Sequence, residues 1–241
     1  MSFTPILHAE WLKIRTLRSL YGALLALVAV STAFSALSGV SDTSDPEFDP
    51  LFMAFSGVLP GQIAVIAFGA MAMSAEFQGG ALRLSLAAVP RRGRWFAAKA
   101  VAVGVPAFLA GLVTAGASLA AARAGLGAAA DGLTAAQQVR GVVGCGVYLA
   151  LMTLIATGLA ALLRSGVGAL SVLIPFVLVV SFVVGDTAGK VTDFLPDKAG
   201  QVILHQSWEG TLGPWTGLAV TAAWAAALLA AGAWSVHRRD A

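Results

Sequence analysis

The chain has 241 residues, of which 58% are hydrophobic and only 11% charged. Soluble domains carry about a quarter charged residues, so these proportions exclude an ordinary soluble globule. The mean hydropathy of +0.84 and the pI near 9.4 point to a membrane protein whose basic residues need a topological explanation. Six runs without a charge, Leu20–Leu37, Leu51–Ala75, Ala100–Ala122, Gly141–Leu163, Ser165–Gly185 and Gly210–Val236, are each about long enough to cross a hydrocarbon core of roughly 30 Å. The reading is an all-α polytopic protein in a single membrane domain over residues 1–241. Its six spans cover about 20–37, 51–75, 100–122, 141–163, 165–185 and 214–236.

Ahead of the first span, Phe3–Arg18 reads as an interfacial helix. Leu7, Trp11 and Ile14 fall at i, i+4 and i+7, with Lys13, Arg15 and Arg18 supplying cations. Trp11 is expected at the apolar boundary, with His8, Lys13 and Arg15 turned away and Glu10 interrupting the pattern. The simpler reading is a basic flank that sets orientation. The second span contains a Gly57-x-x-x-Gly61 pair, and the last places Ala222, Ala226 and Ala230 at helical spacing. Both read as packing surfaces for close helix approach.

After span two, Leu82, Leu86 and Val89 form one apolar helical face, Gly79-Gly80 supplies a sharp turn and Pro90 ends the helix. The chain returns to the bilayer past Arg91, Arg92 and Arg94. A short helix there, on the inner side between spans two and three, suits a docking partner. Anionic-lipid attraction accounts for the arginines equally well.

Lys and Arg collect on the cytoplasmic side of short membrane loops. Eleven lie in the N-terminal segment, the loop after span two, the turn after span four and the tail. Four lie on the other side, at Arg123, Arg140, Lys190 and Lys198. Both termini are therefore expected in the cytoplasm. The first outer loop agrees, holding Asp42, Asp45, Glu47 and Asp49 without a cation.

The span interiors lack Asp, Glu, Lys, Arg and His, so ion coupling and intramembrane catalysis have no candidate residues. Gln62 reads as an interhelical hydrogen-bonding group and the lone Cys145 as a packing residue. No phosphate-binding loop is present, since Gly189-Lys190 is followed by Val191. No enzymatic activity, cofactor, metal or nucleic-acid partner is expected. Energy for any uphill movement must come from another polypeptide.

The string His8-Ala9-Glu10-Trp11-Leu12-Lys13-Ile14-Arg15-Thr16-Leu17-Arg18-Ser19 resembles the opening of many actinobacterial ABC transporter permeases of the second exporter class. Ser74-Ala75-Glu76-Phe77-Gln78-Gly79-Gly80-Ala81-Leu82-Arg83 and the continuation Leu86–Arg94 with Lys99 are similar to a second motif of that family. The ending Trp234–Ala241 is similar as well. Gly80 departs from the Thr or Ser common there.

The resemblance implies a permease in the bacterial plasma membrane, paired with a second permease subunit and with cytoplasmic ABC ATPase subunits. It places coupling to the ATPase on Glu76, Phe77, Gly79, Gly80, Arg83, Leu86, Pro90, Arg91 and Arg92. A connecting helix would carry Leu7, Trp11, Lys13, Ile14, Arg15 and Arg18. It also implies that the loop Asp186–Gly213 carries short helices dipping toward the membrane. The alternative with the same topology is a non-transporting scaffold, sensor or immunity protein holding a regulator or lipid on its basic inner face.

Overall fold

The computed structural model describes residues 3–38, 48–89, 91–126, 132–180, 189–208 and 210–238. All regular elements among them are helical. Helix α1 (Phe3–Thr16) is followed almost without a break by α2 (Arg18–Ser38). The expected second span is divided. Asp49 caps a short α3 (Pro50–Ala54) by accepting from the amides of Leu51 and Phe52, and the chain then turns through Phe55 into α4 (Val58–Ser74). The run begins with Pro50 and the Asp49 carboxylate, which start one helix. Gly57 then starts another.

A 3₁₀ turn at Ala75–Phe77 closes α4, and Gly79 and Gly80 take φ values of 59° and 75°. That left-handed geometry is strained for residues with a Cβ. It accounts for glycine at position 80, where a hydroxyl cap is absent. Helix α5 (Ala81–Ala88) ends at Val89. The expected stop at Pro90 lies outside the described residues.

Helix α6 (Arg92–Leu126) has 35 residues and is about 52 Å long, so it projects beyond any hydrocarbon core. Helix α7 (Ala135–Leu163) starts with a reciprocal cap between Thr134 and Gln137. Ser165 caps α8 (Gly166–Pro175), which continues as a π turn over Phe176–Val180. Pro175 cannot donate to the preceding turn, and the helical register widens immediately after it. The last two helices are α9 (Pro196–Gln201) and α10 (Pro214–Arg238).

Among the described residues, five helices are long and apolar enough to cross a membrane: those spanning Arg18–Leu37, Val58–Phe77, Arg92–Ala124, Ala135–Leu163 and Pro214–Arg238. The expected span over 165–185 is represented by a shorter apolar helix, Gly166–Val179, and residues 181–185 lie outside the described set. The protein is an all-α polytopic membrane protein with about five spanning helices.

Helix α7 is the central member, packed against α4, α6 and α10, while α2 packs on α4 and α6. Close approach rests on small residues. Gly57 and Gly61 meet Ser31 of α2, so the GxxxG pair is an intramolecular contact. On α10 the buried positions include Gly217, Thr221, Ala225 and Gly232, while Ala222, Ala226 and Ala230 are not among them. A Cβ at Gly158 of α7 would fall 2.6 Å from the Leu228 carbonyl carbon, and one at Gly232 would fall 2.7 Å from the Gly158 oxygen. Alanine registers predict where a helix can be approached. Here the glycines decide where it is.

At one end of the bundle, Arg92 Nη1 donates to the Val236 and His237 carbonyls at 2.9 and 3.2 Å. This caps α10 with a cation beside the start of α6. The same end holds α1, α5 and the α7–α8 turn, where Arg164 lies over the Phe77 ring. At the opposite end, Asp49 accepts from the Gln206 amide at 2.8 Å and faces His205 Nδ1 at 3.2 Å. His205 stacks on Phe52, and Arg140 donates to the His205 carbonyl. These contacts hold the segment around α9 against the bundle. Its 3₁₀ turn at Val202–Leu204 buries Ile203 on Gly144. The short helices implied for this loop are therefore present in its described part.

Candidate functional site

The periodic stripe of α1 divides differently from the expected one. Ile6, Glu10 and Ile14 face the protein, while Trp11 is exposed and Leu7 half-buried. Glu10 does not interrupt an apolar face. It is the polar centre of a buried one.

Glu10 and Glu76 are each 2% exposed, as is Lys99. Lys99 Nζ donates to Glu10 Oε2 at 2.8 Å and to Glu76 Oε1 at 2.6 Å. Lys13 Nζ donates to Glu10 Oε1 at 2.7 Å and to the Glu76 carboxylate at 3.0 and 3.1 Å. Ser85 of α5 accepts from Lys13 at 2.9 Å and donates to Glu76 Oε2 at 3.1 Å. The indole Nε1 of Trp95 donates to Glu10 Oε1 at 3.1 Å. Two carboxylates and two ammonium groups thus form a neutral quartet. It ties together α1, the end of α4, α5 and α6.

Each element has a local reason for its position. The 3₁₀ turn after α4 tilts Glu76 inward. The glycine pair turns the chain back so that Leu82 and Leu86 pack with Trp95 and Phe96, which brings Ser85 over Glu76. Lys99 lies seven residues after the start of α6, about 10 Å along its axis. Isolated, such a lysine would be expensive to bury; surrounded by two carboxylates it is compensated. Burial works to lower the Lys13 ammonium pKa. The hydrogen bond and charge of Glu10, with those of Glu76, outweigh it and hold the group above the ordinary lysine value.

The structure therefore joins two sequence-separated segments through Lys13 and Glu76. Ile14 is buried behind them. Phe77 and Leu86 pack on the core formed by Leu82 and Trp95, and Gly79 and Gly80 provide the turn. Arg83 is on the exposed face of α5 beside Leu84, and Arg15, Arg18 and Arg91 are also exposed. Arg92 lies apart, at the end of α10. An open groove of about 380 Å³ between α1 and α5, bordered by Ile6, Ala9, Leu84 and Val89, runs beside the quartet.

Glu10, Ser85, Trp95 and Lys99 escaped the sequence reading as site residues. Glu10 and Lys13 are three residues apart, and Lys99 is a lone cation bordering a charge-free run. Those were the available signals. At the opposite end of the bundle Asp197 of α9 is also 2% exposed; it belongs to the loop Asp186–Gly213, outside the charge-free span interiors.

Cys145 is a buried free thiol, and Gln62 accepts an interhelical hydrogen bond from Tyr148. Among the described residues, no three His, Cys, Asp or Glu side chains gather in a way that would hold a metal ion. A family model described as "ABC-2 family transporter protein" matches residues 6–183, about three-quarters of the chain, with the whole quartet inside the match. A search of curated proteins found no match.

Proposed function

The chain belongs to the ABC-2 family of membrane transporter proteins, a non-catalytic permease component, and from that premise we propose that it is the permease subunit of an ATP-driven exporter in the bacterial plasma membrane. Separate cytoplasmic ABC ATPase subunits supply the energy, and two permease subunits pair to form the transport unit. Six crossings, with both termini cytoplasmic, complete this topology.

The observation that carries the reading is the quartet. A short helix outside the bundle, α5, is linked by Ser85, Glu76 and Lys13 to α1 and by Lys99 to the long helix α6. Force applied to α5 by a closing ATPase pair is passed through a packed, ion-paired junction into α6 and α4. Salt-bridge networks joining rigid elements are a physical means of such coupling. Glu76 and Lys13 transmit, Gly79 and Gly80 set the angle of α5, Leu86 anchors it, and Arg83 with Arg91 faces the partner. Arg92 secures α6 to α10. Leu7, Trp11, Arg15 and Arg18 seat α1 in the headgroup layer.

The test is co-expression with the ABC ATPase subunits of the same genome, followed by pulldown and ATP turnover in proteoliposomes. The wild-type pair is expected to associate, and Arg83→Glu is expected to weaken association. Glu76→Gln with retained association is expected to uncouple turnover from the permease. A wild-type chain that binds no ATPase subunit would overturn the proposal and favour the scaffold reading.

A further inference from the structure

Arg164 closes α7 in the left-handed conformation, at φ 53° and ψ 28°. Among the described residues it is the only one other than glycine with a positive φ. Helices commonly end on such a residue, and glycine is the usual occupant because a Cβ is strained there. The chain supplies glycine for this geometry at positions 79 and 80. It also places a glycine close by, at Gly166, yet not at the strained position itself. An arginine at 164 therefore carries a backbone strain that glycine would avoid. Strain of this kind persists where the surrounding structure holds the residue for another reason.

The reason lies across the gap to the segment after α4. The half-buried Arg164 side chain places its guanidinium carbon 6.0 Å from the centre of the Phe77 ring. A cation over an aromatic face at that range is attracted to it. The two segments also meet directly. A Cβ at Gly166 would fall 2.6 Å from Ser74 Oγ and 3.3 Å from the Ala70 carbonyl oxygen, so the α7–α8 turn is seated on the end of α4. Ser165 fixes the far side of that turn by accepting from the Gly168 amide at 3.0 Å. Phe77 packs on the core that holds Leu82 of α5, Trp95 of α6, and Ala160 and Ala161 of α7. Its neighbour Glu76 belongs to the quartet. The 3₁₀ turn at Ala75–Phe77 is thus held twice, through Glu76 by ion pairs and through Phe77 by Arg164.

We propose that Arg164 is a positioning residue for coupling: through Phe77 it holds the turn that carries Glu76 and leads into α5 against the α7–α8 turn, so that movement of α5 reaches the central helix α7 as well as α6. The quartet contains no residue of α7 or α8. Arg164 adds a cationic connection to α7 that a glycine cap would lack. The role in coupling rests on the permease reading. The positioning of α5 does not.

The first measurement uses the full chain alone in detergent. Arg164→Gly removes the contact and relieves the backbone, so its unfolding midpoint is expected to equal or exceed that of the wild type. Amide hydrogen exchange over residues 77–88 should nevertheless rise about fivefold, the factor carried by one partly exposed cation–ring contact. Arg164→Lys keeps the cation and should stay near the wild-type exchange rate. Phe77→Leu should raise exchange at least as much, and adding Arg164→Gly to it should change nothing further. The second measurement uses the chain co-expressed with ABC ATPase subunits and placed in proteoliposomes. There Arg164→Gly should keep association and the KM for ATP, and lower the permease-dependent kcat about fivefold. Unchanged exchange over residues 77–88 in Arg164→Gly, or a further rise when it is added to Phe77→Leu, would overturn the positioning and leave Arg164 as a helix cap. Raised exchange with full kcat would overturn the coupling role. A wild-type chain that associates with no ATPase subunit would remove the permease reading, and the exchange rates would still decide whether Arg164 positions α5.

Discussion

Lys13 on the first helix and Glu76 at the end of the fourth lie 63 positions apart in the chain, with Lys13 Nζ 3.0 Å from Glu76 Oε1. This contact ties the N-terminal helix to the segment after α4. Its strength comes from the second cation, Lys99, which is 2% exposed and held by both carboxylates. Among the described residues at this end of the bundle, both carboxylates, Glu10 and Glu76, lie inside the quartet.

Removing one member of the quartet should cost more than removing the pair that compensates it. Glu76→Gln leaves Lys99 with a single counter-ion in a buried site, and breaking such a pair typically costs about 3–5 kcal/mol. The thermal unfolding midpoint in detergent should fall clearly for Glu76→Gln and for Lys99→Met. The double variant Glu10→Gln/Lys99→Met should lose less than the sum of its single changes. Strict additivity would show that the ion pairs do not interact.

Lys13 should behave differently, because its side chain is 36% exposed. Lys13→Met is expected to lower the unfolding midpoint less than Lys99→Met. Any effect on coupling should exceed its effect on stability, read as ATP turnover with the partner subunit. The reverse order would assign the stability of the junction to the wrong lysine.

At the end of the bundle opposite the quartet, burial works to raise the Asp49 carboxyl pKa. Hydrogen bonds from His205 and from the Phe52 and Gln206 amides prevail and keep it below the ordinary aspartate value of 3.8. A depressed folded-state value means that Asp49 stabilises the fold above the ordinary value and loses this contribution as pH falls through the lowered one. Hydrogen exchange in residues 196–206 should therefore be unchanged by Asp49 titration near neutrality and should rise below about pH 4. Asp49→Asn should flatten that acid dependence.

Gly80→Ala places a Cβ at a φ of 75°, where side-chain-bearing residues pay about 1–2 kcal/mol. Nothing crowds the position, so the cost is conformational and not steric. The chain should fold with a small loss of stability. The orientation of α5 should change, read as reduced ATPase association. Gly158→Leu is the steric counterpart and should prevent α10 from docking on α7, giving aggregation on size-exclusion chromatography.

Much of the architecture is legible in one dimension because lipid is a simple solvent. Charge-free runs of membrane length can be counted, and the five long helices fall on five of those runs. The glycine pair and its following apolar face locate α5. One misreading has a local origin. Splitting of the second run at Phe55–Gly57 depends on a capping carboxylate, which hydropathy does not weigh.

Composition and charge placement by themselves determined that this chain crosses a membrane as helices, because backbone groups in hydrocarbon must bond within their own segment. They also marked the loop after the second run as the densest cationic region. Only the tertiary structure decided that Glu10, Lys13, Glu76 and Lys99 neutralise one another in a buried quartet, and that Arg164 meets the Phe77 ring. Such pairings join residues far apart in the chain. They depend on the angle at which α1 and α5 lie against the bundle, and close glycine contacts and local caps set that angle.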